Sequence, residues 1–294
     1  MGKRVWILFL VAGVFLAAGF WAYRSRKVRR SGTPPAAPAY ADAPRATPPG
    51  PALASKGPGG GLPSAEGKNA EPPAFSPRAG EVLDFAANVT KLNSTVANLT
   101  VKVVERRNFD GKSAWHLQAF AHTENPYRMV FELDDQFDSY SDVANLHSLQ
   151  YEMHLSERGQ NAETIERMVS SGNDPAPPGA VAARVLPGTR DPIGMLMYLR
   201  SVDWSKVPEV RSPVYDGHKL YDVRAVVLAK DQNVSVAAGK FAATKIEIHV
   251  MDNGAEMKDA HFLLYLAQGQ DRLPVLMEAV LPVAAARVEL TKAH

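Results

Sequence analysis

The 294-residue chain contains no cysteine. Disulfides, thiolate metal sites, cysteine nucleophiles and lipid attachment through an N-terminal cysteine are therefore excluded. Short catalytic and metal signatures are missing as well. No G-x-S-x-G elbow and no H-E-x-x-H pair occurs, and none of the eight histidines falls at a short ligand spacing. Gly111-Lys112-Ser113 has the ending of a phosphate loop, but Arg106 stands where that loop needs its first glycine. A hairpin turn is the reading for this triplet. A basic excess is also missing where it would count. Residues 1–74 hold ten Lys/Arg against three Asp/Glu, while residues 75–294 hold 23 against 28. The folded part is mildly acidic, so no nucleic-acid surface is indicated.

What is present divides the chain into three. Val5 to Tyr23 is an uncharged run with Trp6, Trp21 and Tyr23 near its ends. As a helix it spans about 28 Å, close to the hydrocarbon core of a bilayer. Five basic residues follow it, where a cleaved signal peptide would show a small-residue site. Residues 1–30 are accordingly expected to be an uncleaved transmembrane anchor with basic flanks. The flanking charge alone places the domain in the cytoplasm, whereas a short N-terminus ahead of a first apolar segment favours export. Residues 31–74 hold eleven prolines and seven glycines and read as a disordered tether.

Residues 75–294 read as one β-rich domain. Alternating runs cover 81–90, 96–105, 114–123, 130–140, 148–156, 219–228, 244–251, 260–268, 274–280 and 286–291. Asp110-Gly111, Asp216-Gly217 and Asn253-Gly254 are hairpin signals. About ten strands with short connections predict a strongly curved antiparallel sheet or incomplete β-barrel. Residues 170–188, rich in Pro, Gly and Ala, are expected to be a loop. One helix interrupts the pattern. Asp191 has the character of an N-cap and Pro192 that of a first helical residue. Ile193, Met195, Leu196, Met197, Tyr198, Leu199 and Val202 then make it apolar on nearly every side, with Arg200 stranded among them. Such a helix is buried, and it is too short to span a membrane.

Five segments in order, AGEVLDFAANVT, DDQFDSY, RDPIGMLMYLRS, VAAGKFAATKIEI and RLPVLMEAVLPVAAARVELT, resemble the bacterial family known as domain of unknown function 3108. The resemblance spans about residues 78–292. Gly80, Glu81, Asp138, Tyr140, Asp191, Pro192, Arg200, Gly239, Phe241, Leu273 and Pro274 are the family-like positions within it. It implies an incomplete barrel wrapped round a helix, similar to the half-barrels of lipoprotein-localisation carriers. It also implies export, and with the anchor this gives a single-pass inner-membrane protein with a periplasmic domain. No activity comes with it.

The remaining chemistry is sparse. Asp134, Asp135, Asp138 and Asp142 do not follow a calcium-loop spacing and read as a solvated turn. His116, His122, His154, His249 and His261 fall in expected strands, where a lone histidine is usually a surface or satisfied core residue. No catalytic residue, cofactor or metal is assigned. An apolar cavity is the leading site, with Met195, Leu196, Tyr198, Leu199 and Trp204 as its contacts. The expected role is non-catalytic: binding lipid, acyl chains or a lipidated partner in the half-barrel. The alternatives are an envelope scaffold with a filled core, which would bind other envelope proteins, and an enzyme of unrecognised type. The bilayer itself is an expected partner, through the N-terminal helix.

Overall fold

The computed structural model of the chain describes residues 75–89, 94–169, 178–257, 261–280 and 285–294. The expected anchor and tether lie outside these residues. Among the described residues no helix is long and apolar enough to cross a membrane.

Strands β1 (Val82–Val89), β2 (Ser94–Phe109), β3 (Lys112–Thr123), β4 (Asp134–Asp142), β5 (Ser148–Glu157) and β6 (Gln160–Val169) form an antiparallel meander. The short β7 (Val181–Arg184) lies parallel to β6 at one edge of the sheet. The chain then passes through α1 (Pro192–Ser201) and starts a second meander. This comprises β8 (Glu209–Tyr215), β9 (Leu220–Val236), β10 (Gly239–Asp252), β12 (His261–Ala267), β13 (Pro274–Val280) and β14 (Ala285–Ala293), with the two-residue β11 (Ala255–Glu256) beside β10. Because β14 pairs with β1, the two meanders fuse into a single sheet whose edges are β7 and β8.

Residue alternation positions the core. In β3 and β4 the odd-numbered side chains Trp115, Leu117, Ala119, Ala121, Phe137, Ser139 and Ser141 point inward and are buried. Register shifts in β1, β2, β4, β10 and β12 bend the strands and increase their twist. The sheet therefore curls without closing. No β7–β8 ladder forms, and the gap is bridged by single contacts. Ser148 N donates to Thr189 O, Arg190 N to Pro213 O, and the Tyr215 hydroxyl of β8 to Glu166 of β6. One end is covered by the far part of the β9–β10 hairpin, where Ala238 N donates to Leu290 O of β14.

Among the described residues fourteen strands form rather than ten, because of turns the sequence does not advertise. Asp110-Gly111 and Asn253-Gly254 both take the paired positive φ of a tight hairpin, as expected. Arg158-Gly159 does the same at φ 47° and 71°, although an arginine rarely occupies that position, and so it starts the unexpected β6. β7 falls inside the expected loop; it is held as an edge by parallel pairing, to which local alternation is blind. β8 is likewise outside the expected strands: it carries a proline, Pro213, at the sheet edge, where its missing N–H costs no ladder bond.

Candidate functional site

The helix is fixed at both ends by buried polar groups. At its start, Asp191 is fully buried and caps the first turn, its Oδ1 accepting from Ile193 N at 2.9 Å and Gly194 N at 2.8 Å. Its Oδ2 accepts from the Ser139 and Ser148 hydroxyls, each at 2.5 Å. Burial pushes this carboxyl above its ordinary range, against the pull of four donors. Gly194 permits the close approach. A Cβ there would stand 2.9 Å from Ser141 Oγ and 3.2 Å from Ser148 Oγ. Pro192 occupies the first turn, as its missing N–H allows.

At the last turn, Arg200 has no exposed surface. Its two terminal nitrogens form a fork with Glu81, at 2.8 and 2.7 Å. The same guanidinium donates to Asp271 O at 2.9 Å and Arg272 O at 3.2 Å, and lies 4.3 Å from the Phe75 ring centre. Gly80, at φ 88°, turns the chain so that Glu81 enters the core edge ahead of β1. The stranded arginine of the sequence is thus a fully partnered one, and its partner lies 119 residues away.

Between these anchors the expected ligand contacts are mostly core. Met195, Leu199 and Trp204 are 6%, 3% and 6% exposed, and the Trp204 indole N–H donates to Leu199 O at 2.8 Å. Leu196 and Tyr198 are half-buried against the same core. The face of Tyr198 is occupied by the Arg190 guanidinium, 3.6 Å from its ring centre. Of the other family-like positions, Pro274 is buried, and Leu273 and Phe241 pack against the core. Gly239 holds φ 139° at the head of β10.

The expected acidic turn is corrected. Asp134, Asp135, Asp138 and Asp142 all lie in β4, with Asp135 and Asp138 buried. Period-two alternation sends Asp135 inward and Asp138 outward. Asp138 accepts from His116 at 2.6 Å, Gln136 at 2.8 Å and Gln118 at 3.1 Å. Burial opposes its charge, but these donors, His116 foremost, outweigh burial and hold the carboxyl below the usual range. Tyr140, the next outward residue, stacks on His116 and Phe109, with ring centres 4.7 and 4.5 Å apart. Across β5, Glu152 pairs directly with Asp138, and His154 lies beside both.

Asp135 and two carboxyls that no sequence signal singles out, Glu157 and Glu166, are perturbed by burial. Burial raises Asp135 to about 8 and both Glu157 and Glu166 to about 7. Each also keeps one buried oxygen with no hydrogen-bond partner. Glu166 stands at the sheet gap facing Tyr215. Nothing in a strand's alternation flags an inward Glu of this kind, because no sequence signal marks β6 as a strand.

Comparison with known proteins adds the following. A β-barrel-like protein of domain of unknown function DUF1849 from Brucella abortus is similar in fold at TM-score 0.46 and 10% identity, over 72% of this chain and 96% of that one. A candidate lipoprotein from Parabacteroides distasonis is similar at TM-score 0.36 and 12% identity, over 77% of this chain and 100% of that one. Among curated proteins none matches. Residues 84–291 match the family described as "Protein of unknown function (DUF3108)", and so cover both helix anchors except Phe75 and Glu81. The chain belongs to the DUF3108 family.

Proposed function

We propose that this protein is a non-catalytic interaction module tethered at the bacterial envelope, engaging its partners through the outside and edges of its sheet. The observation that carries this reading is the filled interior. Met195, Leu199 and Trp204 are covered by protein atoms, and α1 is tied down at both ends. An acyl chain would have to displace the helix and unmake one of the two anchors. The envelope location rests on the apolar segment Val5–Tyr23 and the Pro-rich tether after it. The periplasmic side is the orientation adopted, and a reporter fused after His294 tests it.

Lipid or acyl binding is the competing reading, and it draws on the half-exposure of Leu196 and the unclosed gap between β7 and β8. Photo-crosslinking in the intact membrane-bound chain separates the two. A photoreactive residue at Arg211, on the edge strand β8, is expected to give protein adducts of discrete mass. One at Leu196 is expected to give only intramolecular products. Lipid adducts at Leu196 would overturn the filled-core reading.

A further inference from the structure

We propose that Asp138, Glu152 and His154 form a binding site for one first-row divalent transition-metal ion, with zinc as the first occupant to test. The strand register makes the site. Asp138 and Glu152 face each other across β4 and β5 on the outer face of the sheet, and His154 follows Glu152 two residues on along the same face. Directly opposed like charges destabilise a sheet unless something positive lies between them. One ligand atom from each of the three residues lies within 4.8 Å of the other two. His154 Nε2 is 3.3 Å from Glu152 Oε2 and 3.8 Å from Asp138 Oδ2. A tetrahedral ion with bonds of about 2.1 Å holds its ligands about 3.4 Å apart. The 3.3 Å contact is a long hydrogen bond and the 3.8 Å contact lies beyond hydrogen-bond range, and both separations match those of atoms flanking a shared ion.

The surroundings aim the ligands. Glu163 Oε1 lies 3.4 Å from His154 Nδ1, which puts a third carboxylate beside the ring's other nitrogen. Gln118, Gln136 and His116 fix Asp138, and Gln150 donates to Glu152 Oε1 at 2.6 Å, leaving Oε2 toward His154. One imidazole with two carboxylates is an N/O set suited to zinc, manganese, iron or cobalt, and poorly suited to copper(I). The His154 side chain is 33% exposed, so a bound ion keeps a solvent-facing position. Such an ion would tie β4 to β5, or present an open coordination position to a partner's side chain.

The test is calorimetric titration of Zn²⁺ into the full chain after chelator treatment, with Co²⁺ absorption as a second readout. One ion per chain is expected. His154→Ala and Glu152→Gln, which alter partly exposed side chains, are each expected to weaken binding at least about tenfold while circular dichroism stays unchanged. His249→Ala is the control. It removes a histidine of the same sheet that also lies among carboxylates, Glu247 and Glu256, and binding is expected to be unaffected. Absence of one-to-one binding, or binding that survives both site variants, would overturn the assignment and leave an ordinary ionic network.

Discussion

At its first turn α1 is held by an acid whose partners are hydroxyls and amides, whereas at its last turn it is held by a base whose two terminal nitrogens both meet a carboxylate. Asp191 spreads its charge over four dipoles and the positive end of the helix. Arg200 neutralises its charge outright and adds two carbonyls and an aromatic face. The first anchor ties the helix to β4 and β5; the second ties it to the entry of β1 and the β12–β13 turn. Together they join the two meanders through one short helix. A buried charge is tolerated in both ways, but the two should fail differently.

Arg200→Ala is expected to have the largest effect, since it leaves Glu81 buried without a counter-charge. A loss of about 3–5 kcal/mol in denaturant unfolding is predicted. Glu81→Leu combined with Arg200→Met should recover much of it, because a well-packed apolar pair avoids the cost of desolvating two ions. If the double variant is no better than Arg200→Ala, the ion pair is not what fixes this end. At the other end, Asp191→Ala removes a cap, which costs about 0.5–2 kcal/mol. It also strips the buried Ser139 and Ser148 hydroxyls of their acceptor, so the total should reach about 2–4 kcal/mol. Asp191→Asn keeps the cap oxygen and should cost clearly less.

Gly194→Ala probes the contact between the helix start and the strands. In an exposed helix the change would stabilise by up to about 1 kcal/mol. Here the new methyl meets Ser141 and Ser148, and a net loss of about 1–2 kcal/mol is expected from overpacking. A gain in thermal midpoint would mean that the first anchor is loose.

The last effect concerns pH. Asp135, Glu157 and Glu166 titrate near pH 4 in an unfolded chain but are raised to about 8, 7 and 7 in the fold. Between those values the folded state holds protons that the unfolded state has released. Their contribution to stability is therefore complete below about pH 4 and is lost as pH rises through 7 to 8. Glu166→Gln stays neutral throughout and should flatten the fall in urea midpoint between pH 5 and 8. An unchanged slope would mean that Glu166 is not buried at the gap. Asp134 and Asp138, held low by Arg128 and His116, act in the opposite sense below that range.

Much of this architecture was legible in the residues, for physical reasons that also mark where reading stops. Period-two alternation in 81–123 and 274–291 located strands, because one face of the sheet is buried. Asp191-Pro192 announced the helix because a cap and a first-turn proline are local signals. Arg200 was conspicuous, but its partner Glu81 is remote, and nothing local ties the two together. The acidic run reads as a turn because four aspartates look solvated until β3 and β5 place His116, Gln118 and Glu152 around them. Asp138, Glu152 and His154 come from two strands, and only the register of β4 against β5 brings them to one point.

Held at both ends, α1 is an anchored core element and not a lid. Native-state hydrogen exchange of the intact chain measures this directly. Amides from Met195 to Arg200 are expected to exchange only with the free energy of global unfolding, as strongly protected as those of β3 and β4. Exchange through a local opening of clearly lower free energy would contradict the account, and would make the interior accessible to a ligand.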